Sequence, residues 1–343
     1  MEDLMRMAID LAAGARPHPN PRVGALVVSA NGEVLGQGTH DGPGLPHAEV
    51  LALEQAGDAR GATVITTLEP CSHHGRTPPC TDALIEAGVA RVVVGAVDPD
   101  SQVEGRGLAA LRSAGIEVDT VLTEEAKALD PGYFHHRLTG RARVTLKMAA
   151  TLDGQTAAAD GTSQWLTGPE SRADGHRLRA ASDAVMVGAG TVIRDDPRLN
   201  VRLDGYDGPQ PQAVVIAGNR ALPHDAAVFQ RKCLVYSSRS LDLPAEVAVV
   251  KGEGSVDLAA VLVDLGERGM LDVLVEGGAG LAGRLWELGL VDRGILYLGA
   301  KIAGGLGKTM FDGVFDSLAA ADPVEITGVA LSGGDVRIEF EVR

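Results

Sequence analysis

Short runs of β-branched residues recur along this 343-residue chain, each bounded by turn residues and separated by stretches of helical character. "ATVITTLE", "RVVVGAV", "AVMVG", "AVVIA" and "LDVLVEG" are apolar without strict alternation. That is the signature of strands buried on both faces, and such strands need helices packed on either side. The pattern therefore predicts an α/β protein. The rhythm opens with a helix over about 2–14 and two short strands, "VGALVVS" and "EVLGQG", joined by the turn "ANGE". A helix from His47 to about Ala56 follows, then one opened by Pro78 and Pro79 and closed near Gly88, the expected proline start and glycine stop. The first 125 residues read as a three-layer α/β/α domain, and 124–140 as a connecting helix. A second domain starts near Arg143 with "VTLKMAATL" and ends in an antiparallel pair, "VEITGVAL" and "VRIEFEV". The expected division is thus 1–140 and 141–343, with 203–211 as a surface loop.

Composition narrows the class. With 45% hydrophobic and 22% charged residues the chain suits a soluble globular protein, and it has no apolar run long enough to span a bilayer. The acidic start "MEDLMRMAIDLAAGARPHPNPRVG" lacks the basic and apolar regions of a signal peptide, so it reads as mature structure in a cytoplasmic enzyme without a membrane partner. A net charge of −15 repels the phosphate backbone and disfavours a nucleic-acid partner. Three cysteines, Cys71, Cys80 and Cys233, do not make a disulfide framework.

The densest chemistry lies in "PHAEV" and "TLEPCSHHGRTPPC". His47, Cys71 and Cys80 are three candidate zinc ligands, and Glu49 stands two residues after the histidine. A catalytic zinc takes three protein ligands and keeps one position open for water, with a carboxylate that is not a ligand to shuttle protons. Cys80 falls in the first turn of a helix, where the macrodipole favours a thiolate. Taken singly, His47 reads as a helix-start histidine and the cysteines as small core residues. Together, H-A-E followed by P-C and a second cysteine is the zinc deaminase signature with one spacing lengthened.

"HPNPRVGALVV", "PHAEVLAL", "TLEPCSHHGRTPPCTDALI" and "VDPDSQVEGRGLAAL" closely resemble the deaminase half of the RibD family of bifunctional riboflavin biosynthesis enzymes. The resemblance implies a cytidine-deaminase-like fold. It also implies hydrolytic deamination of 2,5-diamino-6-ribosylamino-4(3H)-pyrimidinone 5′-phosphate, a phosphorylated small-molecule substrate. It gives the long loop between the cysteines a role in holding that substrate, with His73 and Arg76 approaching it and Asn20 and Asp98 hydrogen-bonding the base. As bare residues, Arg76 and Asp98 read as solvated loop charges and Asn20 as a turn former; His18 and His74 keep such structural readings.

In the second half, "LDVLVEGGAGLAGR" contains G-x-G-x-x-G at Gly278, Gly280 and Gly283. The acid expected after the next strand is missing, and about 60 residues remain, too few for a full Rossmann wrap. A glycine turn at a helix start still suits an anion, or tight strand–helix packing. "LKMAATLDGQTA", "GTSQWLTG", "HRLRAASDAVMVGAGTVIRDDPRLNVR" and "VEGGAGLAGRLWE" resemble the reductase half of the same family. That implies a dihydrofolate-reductase-like α/β fold and NADPH-dependent reduction of the ribosyl group to ribityl. By position, Lys147, Ala150, Trp165, Thr191 and Asp195 would line the cofactor site, with the turn Gly277, Gly278, Ala279, Gly280 and Leu281. Ser163, Arg179, Leu199, Arg202 and Glu276 would meet the substrate, Arg179 and Arg202 being apt for its phosphate. One departure stands out. The family's Asp-Ser after the central strand is Ala217-Gly218 here, removing a side-chain contact to the NADPH 2′-phosphate that Asn219 and Arg220 are placed to replace.

Two rival functions are weighed against this. A nucleoside or tRNA base deaminase accounts for the zinc motif but not for residues 143–343. A non-catalytic zinc- and nucleotide-binding protein needs a fourth metal ligand, with His73 and His74 the available candidates. Homo-oligomerisation is left open.

Overall fold

The computed structural model describes residues 1–101, 103–252, 255–311 and 317–342. Contacts divide the chain into two compact units, Met1–Gly140 and Arg141–Arg343.

In the first unit, strands β1 (Gly24–Val28), β2 (Val34–Thr39), β3 (Thr63–Leu68), β4 (Arg91–Ala96) and β5 (Glu117–Thr120) form a sheet of order β2-β1-β3-β4-β5. β1 runs antiparallel to β2 and β3, whereas β3, β4 and β5 are parallel. Helix α1 (Glu2–Ala12) covers one face, packing Met5 and Ala8 on Leu26, Val28, Ile65 and Val93. Helix α2 (Ala48–Ala56) covers the other face, crossing β2 so closely that a Cβ on Gly36 or Gly38 would fall 2.2 or 2.3 Å from a backbone carbonyl oxygen of Ala52 or Ala48. Two further helices, α3 (Cys80–Glu86) and α4 (Arg106–Ser113), complete the α2 layer, giving a three-layer α/β/α unit.

The connecting stretch 124–140 is not one helix. It forms α5 (Thr123–Ala128) and α6 (Pro131–Thr139). Pro131 has no N–H to continue α5, and it starts α6 behind the cap Asp130, whose carboxylate accepts from Tyr133 N at 3.3 Å.

The second unit is built on β6 (Arg143–Thr151), β8 (Ala184–Gly188), β9 (Gln212–Gly218), β10 (Cys233–Ser237), β11 (Glu246–Val249), β12 (Asp272–Val275), β13 (Arg293–Gly299), β15 (Val324–Ser332) and β16 (Asp335–Val342), with a small side pair of β7 (Gln155–Ala157) and β14 (Lys308–Thr309). The sheet order is β11-β10-β9-β8-β12-β6-β13-β16-β15, parallel except for the antiparallel β16 and β15 at one edge. Alternate residues feed two cores. Val144, Leu146, Met186 and Val214 pack under α9 (Leu258–Glu267) and α10 (Ala279–Glu287). Val185, Val187, Val215 and Val235 pack on the opposite side, against Leu178 of α7 (Pro169–Ala181) and Val192 of α8 (Ala189–Asp195).

Candidate active sites

His47 is the cap of α2, in extended conformation, so its ring projects from the helix start toward the loop after β3. Cys71 lies on that loop and Cys80 is the first residue of α3. His47 Nδ1 lies 3.1 Å from Cys80 Sγ and 3.5 Å from Cys71 Sγ, and all three donor atoms fall within 4.8 Å of one another. No fourth His, Cys or carboxylate among the described residues joins them. Each thiol perturbs the other: the Cys80 contact draws Cys71 well below the ordinary thiol range, and the reciprocal contact with burial pushes Cys80 up. The Cys80 backbone N–H donates to Cys71 Sγ at 3.3 Å, further favouring a thiolate. Two sulfurs and one imidazole nitrogen converging with an open side are the donor set of a catalytic zinc. Glu49, in the first turn of α2, is buried, and burial raises its pKa to about 7. A carboxylate titrating near neutrality is suited to take and return a proton.

The surrounding residues orient these groups. Thr77 Oγ1 lies 3.2 Å from His47 Nε2, leaving Nδ1 for the metal. His40 is buried, and that burial lowers its pKa. Its Nδ1 faces the Pro46 carbonyl at 3.1 Å and so carries the proton, which makes Nε2 an acceptor. Asn20 Nδ2, 2.8 Å away, must then be the donor, and Asn20 Oδ1 is left as an acceptor for a ligand. Asp98 is buried, raised by that burial to about 6, and accepts from Tyr133 Oη at 3.1 and 3.2 Å. Glu69, directly after β3, accepts from the backbone N–H groups of Asp98, Gly105, Gly107 and Leu108 at 2.9–3.3 Å. It ties the Asp98 loop to the segment that carries Cys71. His73 and Arg76 lie on the exposed crest of the loop, without a hydrogen bond or ion pair among the described residues.

In the second unit, Glu276 follows β12 and accepts from Arg179 of α7 through two 2.7 Å bonds, while Arg179 Nη1 also donates to the Asn200 carbonyl at 2.9 Å. Burial alone would raise the Glu276 pKa, but Arg179 holds it below the ordinary carboxylate range. Lys147 of β6 lies half-buried against this pair, its Nζ 5.6 Å from the Tyr297 ring centre, and desolvation lowers its pKa. The fork of Arg179 is thus committed to Glu276. Arg202 lies beside this pair, its Nη1 donating to Asn200 Oδ1 at 2.7 Å and its backbone N donating to His176 Nδ1 at 3.2 Å. Leu199 is buried with φ 51°, and its carbonyl accepts from Arg231 at 2.7 Å, so it shapes this loop through its backbone. Trp165 is exposed with the Arg172 guanidinium 4.5 Å over its ring, Ser163 lies nearby in sequence and half-buried, and Ala150 is buried within β6.

A cavity of about 960 Å³ opens where β8, β9 and β12 end. Thr191 and the turn Gly278–Leu281 line it, as do Ala217, Gly218 and Arg220. Asp195 lies exposed at the last turn of α8, outside the lining, and Gly277 packs against Leu281. The strand carboxyl ends of an open α/β sheet are where such ligands bind, and the volume suits a dinucleotide. At Gly278 a Cβ would meet Arg194 Nη2 at 3.5 Å, in space left for an anion near the start of α10.

Fold and sites together define a zinc-dependent deaminase joined to an NADPH-using reductase. Comparisons with known proteins agree. Residues 1–96 match the cytidine and deoxycytidylate deaminase zinc-binding region, and residues 142–329 match the RibD C-terminal domain. The riboflavin biosynthesis protein RibD of Escherichia coli is 41% identical, over 88% of each chain, and that of Chlamydia trachomatis 43% identical, over 98% of this chain and 94% of the other. The structure of Acinetobacter baumannii RibD superposes with a TM-score of 0.91 at 36% identity, covering 99% of this chain and 98% of the other. A Thermotoga maritima diaminohydroxyphosphoribosylaminopyrimidine deaminase/5-amino-6-(5-phosphoribosylamino)uracil reductase does so at 0.89 and 35%, covering 100% and 98%. The chain belongs to the RibD family of bifunctional riboflavin biosynthesis enzymes.

Proposed function

We propose that the first unit deaminates a diaminopyrimidinone bearing a ribosylamino 5′-phosphate and that the second reduces the ribosyl chain of the product to ribityl. The observation that carries the first step is the convergence of His47 Nδ1, Cys71 Sγ and Cys80 Sγ beside the buried Glu49. Zinc held by those three donors supplies Lewis-acid activation of water. Glu49 takes a proton from the attacking water and delivers it to the departing amine, a transfer that its pKa near 7 suits. Asn20 Oδ1 accepts from the base, and Asp98 holds a second acceptor position behind it. His73 and Arg76 approach the ligand from the exposed loop, Arg76 with the planar fork that suits a phosphate.

In the second unit NADPH supplies the hydride. The turn Gly278–Leu281, with its backbone N–H groups at the start of α10, would hold the cofactor's pyrophosphate, and Thr191 lines the same cavity. The half-buried Lys147, Glu276 and Arg179 group faces the reacting carbons, and Arg202 anchors the substrate phosphate. Trp165 and Ser163 border the substrate. A coupled assay tests the pair of activities: with the diaminopyrimidine phosphate, ammonia release precedes NADPH oxidation. Ammonia without oxidation defeats the second assignment, and neither signal defeats both.

A further inference from the structure

Asn20 lies in a stretch without regular structure, residues 13–23, between α1 and β1. Its backbone N donates to the Pro17 carbonyl at 3.0 Å, a bond within the same loop, so the loop needs a hold from outside. A group that must meet a ligand in one geometry has to be fixed by its surroundings.

That hold comes from Asp130, the buried residue that caps α6. Asp130 Oδ2 accepts from Arg22 N at 2.8 Å, and Oδ1 lies 2.9 Å from His18 Nε2. His18 and Arg22 stand two residues before and two residues after Asn20, so one carboxylate grips the loop on both sides. Arg22 Nη1 also donates to the carbonyl of Leu129, next to Asp130, at 3.2 Å. Burial alone would raise the Asp130 pKa, but His18 holds it below the ordinary carboxylate range. The carboxylate is therefore ionised at neutral pH, both oxygens accept, and His18 Nε2 carries the proton. A helix cap needs one acceptor for the backbone of the first turn, which the bond from Tyr133 N already uses. The His18 and Arg22 bonds go beyond what α6 requires. One residue of the same turn, Tyr133, donates to Asp98, so both residues assigned to the base are held from the start of one helix.

We propose that Asp130 is a positioning residue for deamination: by holding His18 and Arg22 on either side of Asn20, it sets where Asn20 Oδ1 meets the pyrimidine. This rests on the reading of the first unit as a deaminase in which Asn20 accepts from the base.

Steady-state ammonia release by the full-length, zinc-loaded protein tests it. Asp130→Ala raises KM for the diaminopyrimidine phosphate about tenfold and leaves kcat within about threefold, since a displaced binding group is lost to ground and transition state alike. In an Asn20→Ala background the same substitution changes KM by less than about twofold, because the group it positions is gone. Asp130→Asn brings KM back to within about threefold of wild type, its amide oxygen accepting from Arg22 N and its NH2 donating to the other tautomer of His18. His18→Ala leaves the cap of α6 in place and raises KM about threefold or more, which carries the test if Asp130→Ala does not fold. Unchanged KM in Asp130→Ala or in His18→Ala overturns the proposal, as does an equal rise with Asn20 absent, the mark of a general loosening of the fold. Wild-type KM in Asn20→Ala overturns the reading of Asn20 as a base contact as well, which separates the two failures.

Discussion

Thr77 Oγ1 stands 3.2 Å from His47 Nε2, on the opposite side of the imidazole from the two thiols that face Nδ1. The loop between the cysteines therefore does more than space two ligands: it supplies the group that sets the tautomer of the third. Removing such an orienting partner commonly costs 10- to 100-fold in metal affinity. Thr77→Val, which keeps shape and loses the hydroxyl, is expected to weaken zinc binding by about tenfold or more, measured by competition with a chromophoric chelator. Unchanged zinc affinity would show that packing alone orients His47.

Asp98 is a buried carboxylate whose ionisation costs stability. Burial lifts its pKa from 3.8 to about 6, so the folded state holds the proton more tightly than the unfolded chain. The resulting stabilisation is full below pH 3.8 and is lost as pH rises through about 6. At neutral pH the ionised carboxylate costs about 3 kcal/mol relative to an ordinary one. Asp98→Asn keeps Oδ1, which accepts from Asp100 N at 2.9 Å and from Tyr133 Oη. Its melting temperature is expected to exceed that of the wild type at pH 7.5, with the gap closing toward pH 4, while deamination falls. A variant less stable than wild type at pH 7.5 would contradict this account.

The Glu276–Arg179 pair is the opposite case. Both side chains are 14% exposed and doubly hydrogen-bonded, so loss of one partner strands the other. Arg179→Met takes both hydrogen bonds from the Glu276 carboxylate and leaves it only the nearby charge of Lys147 and His176, and is expected to cost about 3 kcal/mol, or roughly 6–12 °C in the melting temperature of the second unit. Adding Glu276→Leu should restore much of that loss. Since Glu276 is held below the ordinary carboxylate range, the contribution of the pair is present at neutral pH and vanishes as pH falls through that depressed value. Additive losses in the double variant would mean the two residues act separately.

Arg202 has no hydrogen-bonded carboxylate among the described residues, and under the proposed function it anchors the substrate phosphate. Arg202→Ala is therefore expected to raise KM for the phosphorylated intermediate about tenfold or more with little change in melting temperature. A KM unchanged by this substitution would place the phosphate elsewhere.

The parts of the sites legible in the sequence were those encoded locally. His47, Glu49, Cys71 and Cys80 announce themselves by residue type and spacing at helix starts, and the glycine turn before α10 does so by its position after a strand. Parallel strands were legible because burial on both faces leaves no polar alternation. What the sequence hid was tertiary. His40 orients Asn20 across 20 residues, Tyr133 reaches Asp98 across 35, and Arg179 meets Glu276 across 97. Glu69 offered one signal, an acid directly after a buried strand and just before Cys71, but its four backbone partners lie on the Asp98–Gly105 loop and the first turn of α4. The break at Pro131 was written in the sequence and outweighed by helical composition on both sides.

The central claim is that Glu49 moves the proton at a three-ligand zinc site. Glu49→Gln is nearly isosteric and cannot carry that proton, and general acid–base groups contribute about 10²–10⁴-fold to rate. The decisive measurement is ammonia release by the full-length Glu49→Gln protein alongside its zinc content. The account predicts a fall in rate of about 10³-fold with zinc remaining near one per chain. Ammonia release at the wild-type rate from zinc-loaded Glu49→Gln protein would contradict it.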